Sequence, residues 1–209
     1  MEKSSYPYEE RLNALSHAIG IVLGIIGAIV LLDANSEKTP YATISIVVYS
    51  IAVILLFSAS TWYHSVKEER LKHKLRVLDH CSIYVLIAGT YTPVALITLL
   101  NSSGWTIFYT VWGIAVVGII LKLFFTGRFE FVSLVFYMIM GWFIVIDFDN
   151  VIDYVSSLGI QLLMWGGAFY TIGIVFYAVR KIPYNHLIWH FFVLGGAVCH
   201  WLFIYHGVI

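Results

Sequence analysis

Apolar residues run along the chain in seven long blocks separated by short polar stretches, at about 15–32, 41–63, 77–100, 105–125, 129–146, 155–179 and 186–208. A helix rises 1.5 Å per residue, so about 20 mainly apolar residues cross a hydrocarbon core of about 30 Å. Each block therefore predicts one spanning helix, with ends good to about two to four residues. The block at 129–146 is the shortest, and without it the charges along the chain lose their order. An odd number of spans puts the two termini on opposite sides. Connections are short, and neither a low-complexity tract nor a linker interrupts them. The pattern predicts an all-α membrane protein, a seven-transmembrane helix bundle formed by one domain over 1–209.

Composition agrees. The 209 residues are 60% hydrophobic and 11% charged, with mean hydropathy +0.87, whereas soluble domains are roughly 45–50% apolar. A soluble domain is excluded, and a formal net charge of +0 without a basic face gives no support for nucleic-acid binding. Under the positive-inside rule the basic residues choose the orientation. Lys3, Arg11, Lys67, Arg70, Lys72, Lys74, Arg76, Lys122, Arg128, Arg180 and Lys181 fall on one side, and only Lys38 falls on the other. The N-terminus is expected in the cytoplasm and the C-terminus outside, in a multi-pass protein of the cell membrane, the plasma membrane of a bacterium. Asp33, Glu37, Asp147, Asp149 and Asp153 occupy the outer connections. Glu2, Glu9 and Glu10 beside Lys3 and Arg11 deny the first block a positive leader, so it is expected to stay as a helix. Cys81 and Cys199 fall at different depths, too far apart for a disulfide.

The chemistry sits at the cytoplasmic ends. His186-Leu-Ile-Trp-His190 opens the last block, and a four-residue spacing on a helix puts both imidazoles on one face, as two cis ligands of zinc require. The topology brings His64 at the end of the second helix and Asp79 at the start of the third to the same depth. Ser60 lies one turn deeper than His64, and Glu10, Asn13 and His17 mark the same layer of the first helix. Three imidazoles leave the fourth position of a tetrahedral zinc shell open for chemistry. The pair encloses no glutamate, so Asp79 is the candidate proton acceptor.

A His-x-x-x-His pair alone is weak evidence, because two histidines can simply hydrogen-bond across a helix contact. The convergence of Ser60, His64, Asp79, His186 and His190 carries more weight, since ionisable groups within a membrane are costly by accident. Asp79 alternatively caps the third helix or pairs with Arg76, and Ser60 alternatively bonds back to a helix carbonyl. His73 reads as a solvated loop residue, His80 points away from Asp79, and His200 and His206 lie too far along the last helix to join the cluster. Pro93 should kink the third helix, and Gly20-x-x-x-Gly24 should permit close packing. Tyr41, Trp62, Tyr63 and Trp105 read as interface anchors.

Glu10-Arg-Leu-Asn13-Ala-Leu-Ser16-His17, Ser60-Thr-Trp-Tyr-His64, Leu78-Asp79-His80 and His186-Leu-Ile-Trp-His190 together resemble the haemolysin III branch of the progestin and adipoQ receptor (PAQR) family. The resemblance runs from Glu10 to His206. It implies seven helices with an intracellular N-terminus. By similarity to the adiponectin receptors, it implies zinc held by His64, His186 and His190, with Asp79 acting through a water. The wider group, which includes alkaline ceramidases, shares the Ser, Asp and three-His constellation and implies amide hydrolysis on lipids.

The favoured reading is thus a zinc-dependent hydrolase acting on a membrane lipid amide or ester, with Asp79 and Ser60 catalytic. A non-enzymatic sensor or regulator of membrane lipids would keep the same ligands. A haemolysin-like pore predicts a polar stripe across the membrane, and the ionisable residues here gather at one end instead. The orientation is testable directly: a reporter that works only after export should be active when fused behind Ile209, and one that works only in the cytoplasm should be silent. The reverse pattern would move the histidine cluster to the outer side.

Overall fold

A computed structural model describes residues 6–126, 130–179 and 181–209, with Tyr6 and Pro7 as backbone only. Lys3, Arg128 and Arg180, counted above for orientation, lie outside the described residues together with Glu2 and Phe129. The helices are α1 (Tyr6–Asp33), α2 (Ala42–Ser65), α3 (Glu69–Pro93), α4 (Gly104–Phe125), α5 (Glu130–Gly141), α6 (Phe148–Tyr154), α7 (Ser157–Ala178) and α8 (Asn185–Phe203). A π-helical turn extends α3 through Val94–Thr98, and another extends α8 through Ile204–Val208. A 3-10 turn, Phe143–Asp147, joins α5 to α6, so these three make one crossing, and among the described residues the helices long and apolar enough to span number seven.

The first helix begins at Tyr6, nine residues before its apolar block, and two further boundaries differ from the hydropathy reading for a physical reason. The third helix begins at Glu69, eight residues before the apolar block, because the Glu68 carboxylate caps it by accepting from the amides of Arg70 and Leu71 at 3.0 and 2.8 Å. Lys, Arg and Leu are good helix formers, so the basic stretch is helix rather than loop, and His73 sits exposed on it. With the cap at Glu68, Asp79 lies ten residues inside the helix and caps nothing. The fifth crossing is longer than expected, since the residues from Phe143 to Tyr154 continue it in 3-10 and α form.

The third crossing is central: 72% of its apolar window is buried, against 17% in each of the fifth and sixth. Gly89 lets α3 close on α2, where an added Cβ would come 2.5 Å from the Ala52 methyl. Gly20 and Gly24 admit Phe57, Val53 and Ile54 of α2 against α1, as the glycine spacing predicts. Beyond Pro93 the helix loosens into its π-helical turn, and Thr39 donates to the Leu96 carbonyl at 2.9 Å.

Polar ties define two ends of the bundle. At one end, Lys72 meets Glu10 at 2.8 Å, and Glu130 takes Lys122 at 2.7 Å and Arg76 at 3.5 Å. At the other, Lys38 donates to the Val208 carbonyl at 3.0 Å, and Ser102 and Ser103 donate to Asp147. The first end holds Lys67, Arg70, Lys72, Lys74, Arg76 and Lys122, and is the basic face.

The break after Gly141 is closed by one side chain. The Tyr91 hydroxyl donates to the Gly141 carbonyl at 3.0 Å and accepts from the Ile144 amide at 2.9 Å. Hydrocarbon offers no replacement for either bond. Tyr91→Phe should therefore destabilise the folded protein by about 1–2 kcal/mol, read as a lower thermal midpoint in detergent. Tyr109→Phe, at a side chain 66% exposed to the surroundings, should leave the midpoint unchanged.

Candidate metal centre

Two local features aim the last helix at the site. Tyr184 adopts the left-handed conformation, φ 54° and ψ 26°, uncommon without glycine, and reverses the chain directly before α8. Asn185 then ties the new helix to the old one by donating from Nδ2 to the Phe176 carbonyl at 2.9 Å. His186 and His190 follow one helical turn apart and meet His64 from the last turn of α2.

The three rings converge. Nε2 of His186 lies 3.2 Å from Nε2 of His64, and one ligand nitrogen from each of His64, His186 and His190 lies within 4.8 Å of the others. Zinc holds imidazole nitrogens at about 2.0–2.1 Å in a tetrahedron, which separates neighbouring ligand atoms by about 3.3–3.4 Å. The His64–His186 spacing of 3.2 Å is close to this value. Closing His190 onto a shared ion takes a side-chain adjustment on the order of 1 Å. The cluster can hold a metal ion, and its three nitrogen donors suit zinc, copper or nickel better than calcium or magnesium.

The first helix surrounds the cluster without joining it. Glu10 Oε2 is 3.2 Å from His64 Nδ1. Nδ1 of His190 lies 3.0 Å from the Ser16 hydroxyl and 3.2 Å from the Asn13 carbonyl. His17 stacks flat on His190, with ring centroids 3.6 Å apart, and both its nitrogens are buried without a partner among the described residues.

Ser60 and Asp79 flank the cluster. They line the same cavity, and the Asp79 carbonyl accepts from Ser82 at 2.6 Å. Asp79 is half-buried, and it lines an internal cavity of about 390 Å³ together with Ser60, His17, His186 and His190. Arg76, one turn before Asp79, lines the same cavity while its guanidinium meets Glu130.

The sequence residues sort clearly. Ser60, Asp79, His186 and His190 share the cavity, and His64 completes the imidazole cluster. His206 is exposed at the other end. His200 stays out of the cluster as expected, yet it lines the far part of the same cavity, 14 residues and so about 21 Å along α8 from His186. His80 borders the cavity too. Trp62 is 63% exposed, as an anchor should be, whereas its neighbour Tyr63 turns inward to the cavity. Ser16 is the contact residue that sequence reasoning missed. Its signal was its place three residues after Asn13, on the helix face that looks inward.

Fold and site together define a multi-pass membrane protein with a buried three-histidine centre at one end of an internal cavity. The chain belongs to the haemolysin-III related family, whose model matches residues 6–201. It is 42% identical over 190 residues to Hemolysin-3 of Bacillus cereus, covering 90% of this chain and 87% of that one. Identity to the Hemolysin-3 homolog of Bacillus subtilis is 40% over 190 residues, covering 90% and 89%. The human monocyte to macrophage differentiation factor is 30% identical over 215 residues, covering 96% and 86%.

Metal content tests the cluster. Purified protein should bind close to one equivalent of zinc, and a His186→Ala, His190→Ala double variant should lose it together with the thermal stabilisation that added zinc gives the parent. Stoichiometric zinc in the double variant would remove these residues from the ligand set.

Proposed function

We propose that the chain is a zinc-dependent hydrolase that cleaves an amide or ester of a membrane lipid at the basic end of the bundle, oriented toward the cytoplasm of the cell that carries it. The observation that carries this reading is a three-imidazole cluster of His64, His186 and His190, two of which, His186 and His190, line a cavity that also holds the Asp79 carboxylate and the Ser60 hydroxyl. Its walls include Ile83, Ile87, Ile174 and Val193, which accept an acyl chain and repel its polar competitors.

Zinc held by the three imidazoles would supply Lewis acidity toward a carbonyl oxygen and toward water. The remaining work belongs to the protein. Asp79 is placed to take the proton of the attacking water and return it to the departing amine or alcohol, so the C–N or C–O bond breaks as the new C–O bond forms. Ser60 would steady the Asp79 carboxylate through its hydroxyl, since the two residues line the same cavity. The apolar walls exclude bulk water, which strengthens both contacts. Met138 of α5 and Thr171 and Ile174 of α7 wall the cavity on the side of the two least-buried crossings, the natural side for a lipid to arrive laterally.

A pore has less to rest on, since the imidazole cluster, Asp79 and Arg76 gather at one end of the cavity and no charged residue among those described lines the rest of it. Asp79 separates the remaining readings. Asp79→Asn keeps size and hydrogen bonding but removes the proton acceptor, so zinc should remain while turnover of the best lipid amide or ester falls by about 10² to 10⁴. Zinc retained with undiminished turnover would refute the general-base role. A parent that binds zinc yet cleaves no member of a broad panel of lipid amides and esters would favour a lipid sensor.

A further inference from the structure

We infer that the first helix, which supplies no ligand, is the positioning shell of the metal centre, and that Glu10 fixes the orientation and tautomer of His64. The inference rests on the metal-site reading and adds a residue to it. A neutral imidazole carries one N–H and one lone pair, and a metal needs the lone pair. A carboxylate only accepts, so Glu10 Oε2 at 3.2 Å puts the proton of His64 on Nδ1 and leaves Nε2 facing His186. Lys72 pins the same oxygen from α3 at 2.8 Å.

The second ligand on this helix face is handled alike. The Asn13 carbonyl, 3.2 Å from His190 Nδ1, can only accept. The Ser16 hydroxyl, 3.0 Å away, spends its own hydrogen on the Asn13 carbonyl at 2.8 Å, so toward His190 it accepts as well. Both contacts put the His190 proton on Nδ1 and free Nε2. Stacking on His17 then holds the plane of the His190 ring. Glu10, Asn13, Ser16 and His17 follow one stripe of α1 at spacings of three or four residues, while Leu15, Ile19 and Val22 face outward. Carboxylate and carbonyl partners of this kind raise ligand basicity and fix ring direction.

The competing explanation is that Glu10 merely ties α1 to α3 through Lys72. Zinc affinity, measured by competition with a chelator on the full-length protein, and the visible spectrum of the cobalt-loaded form tell the two apart. Glu10→Ala should lower zinc affinity 10- to 100-fold and shift the cobalt spectrum. Glu10→Gln, whose amide oxygen still accepts from Nδ1, should recover most of that affinity. Lys72→Met deletes the ion pair but leaves Glu10 on His64, and should stay within about threefold of the parent, well inside the range expected for losing the partner itself. Equal losses in Glu10→Ala and Lys72→Met, or no loss in Glu10→Ala, would overturn the inference while leaving the three-histidine site intact. If Glu10→Ala does not fold, Glu10→Asp replaces it: the charge stays for Lys72, the reach to His64 is one methylene short, and unchanged affinity would again overturn the inference. A parent that binds neither zinc nor cobalt removes the metal site itself, and this inference with it.

Discussion

Hydrocarbon neither donates nor accepts a hydrogen bond, so the backbone polar groups that this chain carries into the membrane must find partners inside the chain, and a buried side chain gains by finding one. The consequences appear wherever regular helix fails. The broken fifth crossing survives because a tyrosine from the central helix takes both orphaned backbone groups. Thr61, Thr90 and Thr92 return their hydroxyls to carbonyls one turn back. Lys122, almost completely buried, is matched by Glu130 across the end of α4. The imidazoles of the metal centre obey the same demand, two of them through contacts from the first helix.

Seen this way, the architecture and the site are one problem solved twice. The central crossing supplies Tyr91 to the break at one depth and Asp79 to the cavity at another, so the helix that holds the bundle together also carries the proposed proton acceptor. The least-buried crossings, α5 with α6 and α7, stand where an apolar guest would have to pass.

The sequence is most readable where composition alone decides. Seven blocks gave seven crossings, and the depth shared by His64, His186 and His190 followed from counting residues from the ends of those blocks. Direction is less readable. Hydropathy could not see that Glu68 would start α3 early, because a capped basic helix and a basic loop have similar composition. Nor could it tell Trp62 from Tyr63, neighbours that face lipid and cavity respectively. His200 was judged by its distance from the cluster, correctly for ligation, but distance along a helix says nothing of a cavity long enough to reach it. Ser16 and the carbonyl of Asn13 matter through backbone geometry, and a carbonyl leaves no trace in side-chain identity.

The centre also has a history in time. His64 and His186 are 122 residues apart, and at about 5–20 residues per second a ribosome needs about 6–24 s to travel between them. Throughout that interval Ser60 and His64 of the second crossing, joined later by Asp79 of the third, have no α8 to meet. Helix α1 is already present, so Glu10 can take hold of His64 and shelter it while the rest of the chain is made. The other two imidazoles arrive only with the final crossing. The complete three-histidine cluster, and with it any metal the cluster can hold, therefore waits for the last crossing.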